Sequence, residues 1–110
     1  MDEFTKFLNE VAEWQDITFP NANSLSKLAH LIEEIVELKD CIITSVVESP
    51  QNYDLKLEYA DCFLLLFGAA SKSGFDLKDV FDAMREKMEI NKNRKWGSPD
   101  ENGVVRHIKD

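Results

Sequence analysis

Four carboxylates in this chain have the spacing of a chemical site. Glu34 and Glu37 stand three residues apart, and so do Glu58 and Asp61. On a helix, that spacing puts both members of a pair on one face. The second pair opens a strongly apolar stretch, for every residue from Tyr59 to Ala70 except Asp61 and Gly68 is apolar. A helix that is apolar all round is a buried helix, and a carboxylate within one is costly unless something compensates it. A divalent cation is the natural compensation. Four carboxylates on two facing helices would hold Mg2+ or Mn2+, which prefer oxygen ligands. The competing reading is two solvated acidic faces. Asp61 inside the apolar run, and the repeat of the spacing on a second helix, weigh against it.

A second group lies near the C-terminus. Val80, Met84, Lys87, Asn91 and Arg94 follow one another by helical steps of four and three, and the stripe they form starts apolar and ends in hydrogen-bond donors. Arg85, Lys87, Lys92, Arg94 and Lys95 place five of the chain's 13 basic residues in one short segment. The favourable interaction of cations with a helix C-terminus accounts for Lys92, Arg94 and Lys95. It does not account for Lys87 and Asn91 continuing an apolar stripe, which suits an anion site.

The elements that must carry these residues are helices. Residues 2–16 read as a first helix with Phe4, Phe7, Leu8, Val11, Ala12 and Gln15 near one face, ended by Thr18-Phe19-Pro20-Asn21 because a residue before proline avoids the α region. Asn23 or Ser24 caps a second helix running to about Val47, with an apolar stripe of Leu28, Leu31, Ile32, Ile35, Leu38, Ile42 and Val46. Glu48-Ser49-Pro50-Gln51-Asn52 is a turn signal. A third helix spans about 54–72 and stops at Ser73-Gly74. Asp76 reads as the cap of a fourth helix, from 77 to about 94, and an irregular tail follows. Short connections favour antiparallel neighbours. The prediction is an all-α fold, a compact four-helix bundle in a single domain over residues 1–110.

Composition narrows the function. The net charge is −8 and the sequence pI about 4.7, which argues against partners that are nucleic acid polymers or anionic membranes. A small anionic substrate remains compatible, because bound metal inverts the local field. The start MDEFTKFLNE has no basic region followed by an apolar core, and the run at 59–70 is too short to span a bilayer. Cys41 and Cys62 lack Cys-x-x-Cys spacing and read as reduced core residues. A cytoplasmic setting is therefore expected.

Glu33-Glu34-x-x-Glu37 followed by Glu58-x-x-Asp61 resembles the signature of the MazG-like, all-α nucleoside triphosphate pyrophosphohydrolases. Lys87-x-x-x-Asn91-x-x-Arg94 resembles the third element of that pattern. KMEINKNRKWG followed by DENGVVRHIK, with His30-Leu31-Ile32-Glu33-Glu34 and the run from Glu58 to Ala70, resembles a narrower branch, the dATP/dGTP pyrophosphohydrolases. The similarity extends from Phe19 to Ile108.

The resemblance implies hydrolysis of a (d)NTP, with a purine preference, to the monophosphate and pyrophosphate, in control of the nucleotide pool. It implies Mg2+ as cofactor with Mn2+ as substitute, at two or more ions per site, and a homodimer or homotetramer. Glu34, Glu37, Glu58 and Asp61 would be the metal ligands. Glu33 points about 100° away from Glu34. It is a candidate to orient or deprotonate the attacking water, or else a surface carboxylate. Lys87, Asn91 and Arg94 would bind phosphate oxygens. His30 is a candidate to touch substrate or to support a metal ligand when not simply structural. Trp14 and Phe19 are candidates to stack on the base when not simply core.

Other readings carry less. A di-iron carboxylate site wants Glu-x-x-His pairs, and neither His30 nor His107 follows a glutamate by three. The acidic balance disfavours a nuclease. No histidine lies near either cysteine in helical register, which leaves thiol catalysis unsupported. A non-enzymatic helical oligomerisation or interaction module is the alternative from another class.

Overall fold

The structure is a computed structural model that describes residues 2–48 and 53–109. Its described residues form four helices, α1 (Glu3–Thr18), α2 (Ser24–Glu48), α3 (Tyr53–Lys72) and α4 (Leu77–Lys92), with no extended strand. The all-α prediction holds, and the chain divides into two compact units, 1–77 and 78–110. No helix among the described residues is long and apolar enough to cross a membrane.

In the first unit, local chemistry fixes each helix end. The Asp2 carboxylate accepts the Thr5 N–H at 2.7 Å and caps α1. This helix runs two residues beyond the expected end and closes where the Phe19 N–H reaches the Gln15 carbonyl at 2.8 Å. Asn23 and Ser26 cap α2 reciprocally: the Ser26 N–H donates to Asn23 Oδ1 at 2.8 Å and the Asn23 N–H to Ser26 Oγ at 2.9 Å. α3 ends in a Schellman arrangement around Gly74, whose φ of 95° suits glycine. There the Phe75 N–H donates to the Ala70 carbonyl and the Gly74 N–H to the Ser71 carbonyl, both at 3.0 Å. Of the expected turn at Glu48-Ser49-Pro50-Gln51-Asn52, the last four residues lie outside the described residues.

α2 and α3 make the main interface of this unit, and α1 lies on α3. Their register can be read from four facing positions. Gly68 lies against Lys27, Leu65 shares a cleft with His30, Asp61 acts on Glu34, and Glu58 meets Glu37. From Lys27 the α2 positions advance by three, four and three residues, while the α3 positions fall back from Gly68 by the same steps. The two helices are therefore antiparallel, and one seam carries all four of these meeting points. A salt bridge from Lys72 to Asp16, 2.7 Å, ties the end of α3 to α1.

The core of this unit is thin. Among the described residues only Leu31 and Ala69 are buried apolar side chains, joined by the polar pair Gln15 and Lys27. Here the structure departs from the prediction. α3 is not buried all round, for Tyr59, Phe63 and Leu66 are exposed on the single chain, and so is Asp61. The predicted α2 stripe is likewise divided: Leu31 faces inward, while Leu28, Ile32 and Ile35 are open. Apolar periodicity identifies helices but not which of two apolar faces a single chain covers.

The second unit holds α4 and the tail. The tail is irregular, as expected, yet closed upon itself. Trp96 and His107 form an isolated antiparallel bridge, flanked by hydrogen bonds from Gly97 N–H to the Arg106 carbonyl at 2.9 Å and from Ile108 N–H to the Lys95 carbonyl at 2.8 Å. The Trp96 indole N–H donates to the Asn91 carbonyl at 2.9 Å, which pins the tail to the end of α4. Asp100 organises the turn between the two arms. Its carboxylate accepts the N–H groups of Asn102 and Val104 at 2.8 and 2.9 Å and the Arg106 guanidinium at 2.7 Å.

Arg106 above all, helped by the Val104 and Asn102 N–H groups, holds the Asp100 carboxyl below its ordinary value of 3.8. A depressed carboxyl stabilises the fold above the unfolded value and loses that contribution as pH falls through the folded one. Asp100→Asn should therefore unfold more easily than the wild type at neutral pH. The gap should close in acid below 3.8, as followed by thermal unfolding across that range.

Candidate active site

The α2–α3 seam brings three of the four predicted carboxylates together. One carboxylate oxygen each from Glu34, Glu37 and Glu58 lie within 4.8 Å of one another. Glu34 and Glu58 are half-buried, and Glu37 is exposed. Asp61 stands beside this group without joining it: its charge acts on Glu34, but its side chain is turned to the exposed surface. Glu33 is also exposed and outside the group, one residue along α2 from Glu34 and so on another face.

Electrostatics here are those of like charges forced together. Burial, then the Glu37 and Asp61 charges, push the Glu34 carboxyl above its usual range, and a hydrogen bond with Glu37 adds to the effect. His30 opposes the shift, its Nε2 lying 3.2 Å from Glu34 Oε1. Glu58 Oε2 is buried and has no hydrogen-bond partner among the described residues. An orphaned carboxylate oxygen beside two further carboxylates is the arrangement a hard divalent cation satisfies, since it supplies charge and coordination at once. The donors are all oxygen, so Glu34, Glu37 and Glu58 fit Mg2+ or Mn2+ rather than a thiophilic ion.

Cys62, expected to be plain core, borders the same group. Burial, followed by the Glu34, Asp61 and Glu58 charges, pushes its thiol up, and a thiol held protonated is a poor nucleophile.

A cleft of about 210 Å³ adjoins the carboxylates, lined by Gln15, Phe19, Ala22, Ser26, Lys27, His30 and Leu65. His30 belongs to both places, facing the cleft and bonding Glu34. Phe19 is part of the wall, and Trp14 meets it edge-on with ring centroids 5.6 Å apart. Sequence reasoning missed Lys27. It lies one turn before Leu31 and two before Glu34 on α2, a periodicity that places it on the inner face despite its charge.

In the second unit, Lys87 and Asn91 lie on α4, Lys87 exposed and Asn91 half-buried. Arg94 corrects the predicted stripe. α4 ends at Lys92, where the Asn93 side-chain amide donates to the Glu89 carbonyl at 2.8 Å, and Arg94 stands in the bend beyond. The chain continues there in a tighter turn, with the Asn93 N–H donating to the Ile90 carbonyl at 3.1 Å and the Arg94 N–H to the Asn91 carbonyl at 3.3 Å.

A family model described as dATP/dGTP pyrophosphohydrolase matches residues 7–110. The chain belongs to this family. It is 35% identical over 99 residues to the dATP/dGTP diphosphohydrolase of cyanophage S-2L, covering 90% of this chain and 82% of that one. Its structure matches that of the cyanophage S-2L MazG-like pyrophosphohydrolase bound to dGDP and three catalytic Mn2+ ions per active site, with a TM-score of 0.73 and 29% identity over 99% of this chain and 100% of the other. Family membership sets aside the reading as a non-enzymatic interaction module and makes the chain a hydrolase of nucleoside triphosphate anhydride bonds.

The carboxylate group makes a direct prediction. Adding Mn2+ should raise the melting temperature, because a ligand that binds only the native state stabilises it. Glu58→Gln should lose most of that increment. Without metal the same variant should be more stable than the wild type by on the order of 1 kcal/mol, since a neutral amide can donate to the neighbouring carboxylates. Thermal unfolding with Mn2+ and with chelator checks both.

Proposed function

We propose that this chain hydrolyses purine deoxynucleoside triphosphates, dGTP and dATP, to the monophosphate and pyrophosphate. Mg2+ is the proposed physiological ion, with Mn2+ as its substitute and more than one ion per site. The observation that carries the reading is the group of Glu34, Glu37 and Glu58 with the orphaned Glu58 oxygen, beside an aromatic-walled cleft. The relative's bound dGDP and Mn2+ ions supply the same two components.

When bound, the cation neutralises triphosphate charge and lowers the cost of attack on an anionic phosphorus. The chain's own residues do the remainder. Glu34, Glu37 and Glu58 hold the ion, and Asp61 adds negative charge beside them or joins as a ligand. The His30–Glu34 bond orients the Glu34 carboxylate. Glu33, exposed next to Glu34, is the proposed base that holds the attacking water. Phe19, with Trp14 behind it, forms a wall on which the base stacks. Lys87, Asn91 and Arg94 are the proposed donors to phosphate oxygens.

The setting is a reducing cytoplasm, in keeping with free Cys41 and Cys62. The chain acts as a homodimer or homotetramer. Tyr59, Phe63 and Leu66 form an open apolar stripe on α3, which association would cover.

Incubation of the protein with Mg2+ and each common dNTP and NTP should give monophosphate and pyrophosphate from dGTP and dATP. Diphosphate and free phosphate as products would instead mean cleavage at the terminal phosphate and would refute the proposal. Phe63→Glu should shift the sedimentation velocity towards that of a monomer; an unchanged sedimentation coefficient would place the subunit contact elsewhere.

A further inference from the structure

The cleft contains a buried cation that the hydrolysis mechanism does not use. Lys27 is only 6% exposed and Gln15 only 8%, and both line the cleft. Among the described residues Lys27 forms no ion pair. Its ammonium has a long hydrogen bond of 3.4 Å to Gln15 Oε1 and sits 5.9 Å from the centre of the Phe19 ring. Asp16, whose charge acts on it, is bonded to Lys72 at 2.7 Å. Three ammonium donors thus have one weak acceptor between them, in a place where unmade hydrogen bonds are expensive.

Room for this pair is built into α3. A Cβ at Gly68 would come within 2.6 Å of Gln15 Oε1 and 3.2 Å of the Lys27 Cδ and Nζ. The cleft's other walls are largely apolar, with Phe19, Ala22 and Leu65, which suits a flat heterocycle better than a phosphate. Position agrees. From Lys27 to Glu34 is about 10 Å along the helix, comparable to the reach from the far edge of a purine to its 5′-phosphate.

We propose that Lys27 and Gln15 are the specificity-determining pair, reading the N7 and six-position edge of the purine base. Lys27 donates to N7 and to the guanine O6. Gln15, which carries both a donor and an acceptor, serves adenine by donating to N7 and accepting from its six-amino group. These are the pairings that lysine and glutamine make with the same base edges in DNA. Pyrimidines have no N7, so they cannot offer Lys27 the adjoining N7 and O6 acceptors of guanine. Gly68 is a positioning residue that keeps the pair in place. The inference rests on the cleft being the nucleoside end of the proposed hydrolase site.

The test compares dGTP, 7-deaza-dGTP and dCTP with the wild type and Lys27→Met. It is paired with thermal stabilisation of each protein by dGMP and 7-deaza-dGMP, a readout that needs no turnover. The wild type should prefer dGTP to 7-deaza-dGTP by roughly tenfold or more in kcat/KM. Lys27→Met should lose that preference, and its stabilisation by dGMP should fall to that of 7-deaza-dGMP. Its stabilisation by Mn2+ should remain, as proof that fold and carboxylate group are intact. Equal handling of dGTP and 7-deaza-dGTP by the wild type would overturn the proposal, and this arm stands even if the variant does not fold. Equal loss on dGTP and dCTP in Lys27→Met would also overturn it and leave the hydrolase reading untouched. Lys27-dependent stabilisation by dGMP without hydrolysis of any dNTP would remove the hydrolase reading and keep the base-reading pair. Neither hydrolysis nor stabilisation would remove both.

Discussion

The structure depends on one unfavourable contact: Glu34, Glu37 and Glu58, drawn together where α2 and α3 meet. Apart from the hydrogen bond between Glu34 and Glu37, the contact is one of like charges. The carboxylates stay close because the helices behind them have other reasons to pair. Leu31 and Ala69 are buried on these two helices, and facing positions keep register through three successive intervals. Hydrophobic burial near the seam thus holds acidic groups at a separation they would not choose. On the proposed reading, a divalent ion entering the group would relieve that repulsion, and the stability it costs the fold would return as binding energy.

The same seam carries the opposite charge at its other end. Lys27 faces Gly68 there, with Gln15 contributed by α1 and His30 between the two regions. A single pair of antiparallel helices therefore presents a cationic, largely apolar cleft at one end and an anionic group at the other. A nucleotide has the matching polarity only when metal has reversed the field at its phosphate end. Without that reversal the carboxylates repel phosphate. On the proposed reading, the requirement for metal and the direction in which the substrate would lie both follow from this one arrangement of charge.

Much of this was legible in the sequence because it depends on local rules. The caps at Asn23 and Gly74, and the helical spacing of the carboxylates, are set within four or five residues of chain. Family resemblance carried the reaction and the purine branch. What escaped depends on partners distant in sequence. Lys27 looks like a solvated lysine until α3 places a glycine opposite it and α1 places Gln15 beside it. Asp61 looks buried because its helix is apolar all round, yet periodicity does not say which apolar face a single chain leaves open. Arg94 seemed to extend the α4 stripe, but α4 ends at Lys92, where the Asn93 side chain turns back onto the Glu89 carbonyl.

The exposed position of Asp61 follows from the geometry of α3 rather than contradicting the motif. Glu58 and Asp61 are three residues apart, which on a helix leaves them about 60° from perfect alignment. Glu58 points into the seam, so Asp61 must lie to one side of it. That side is not shared with Phe63 and Leu66: Phe63 is two residues, hence about 200°, further round. The open apolar stripe and the acidic edge are consequently different faces of one helix. Burying Tyr59, Phe63 and Leu66 against another surface would leave Asp61 where it is, at the rim of the carboxylate group. From there its charge still reaches Glu34.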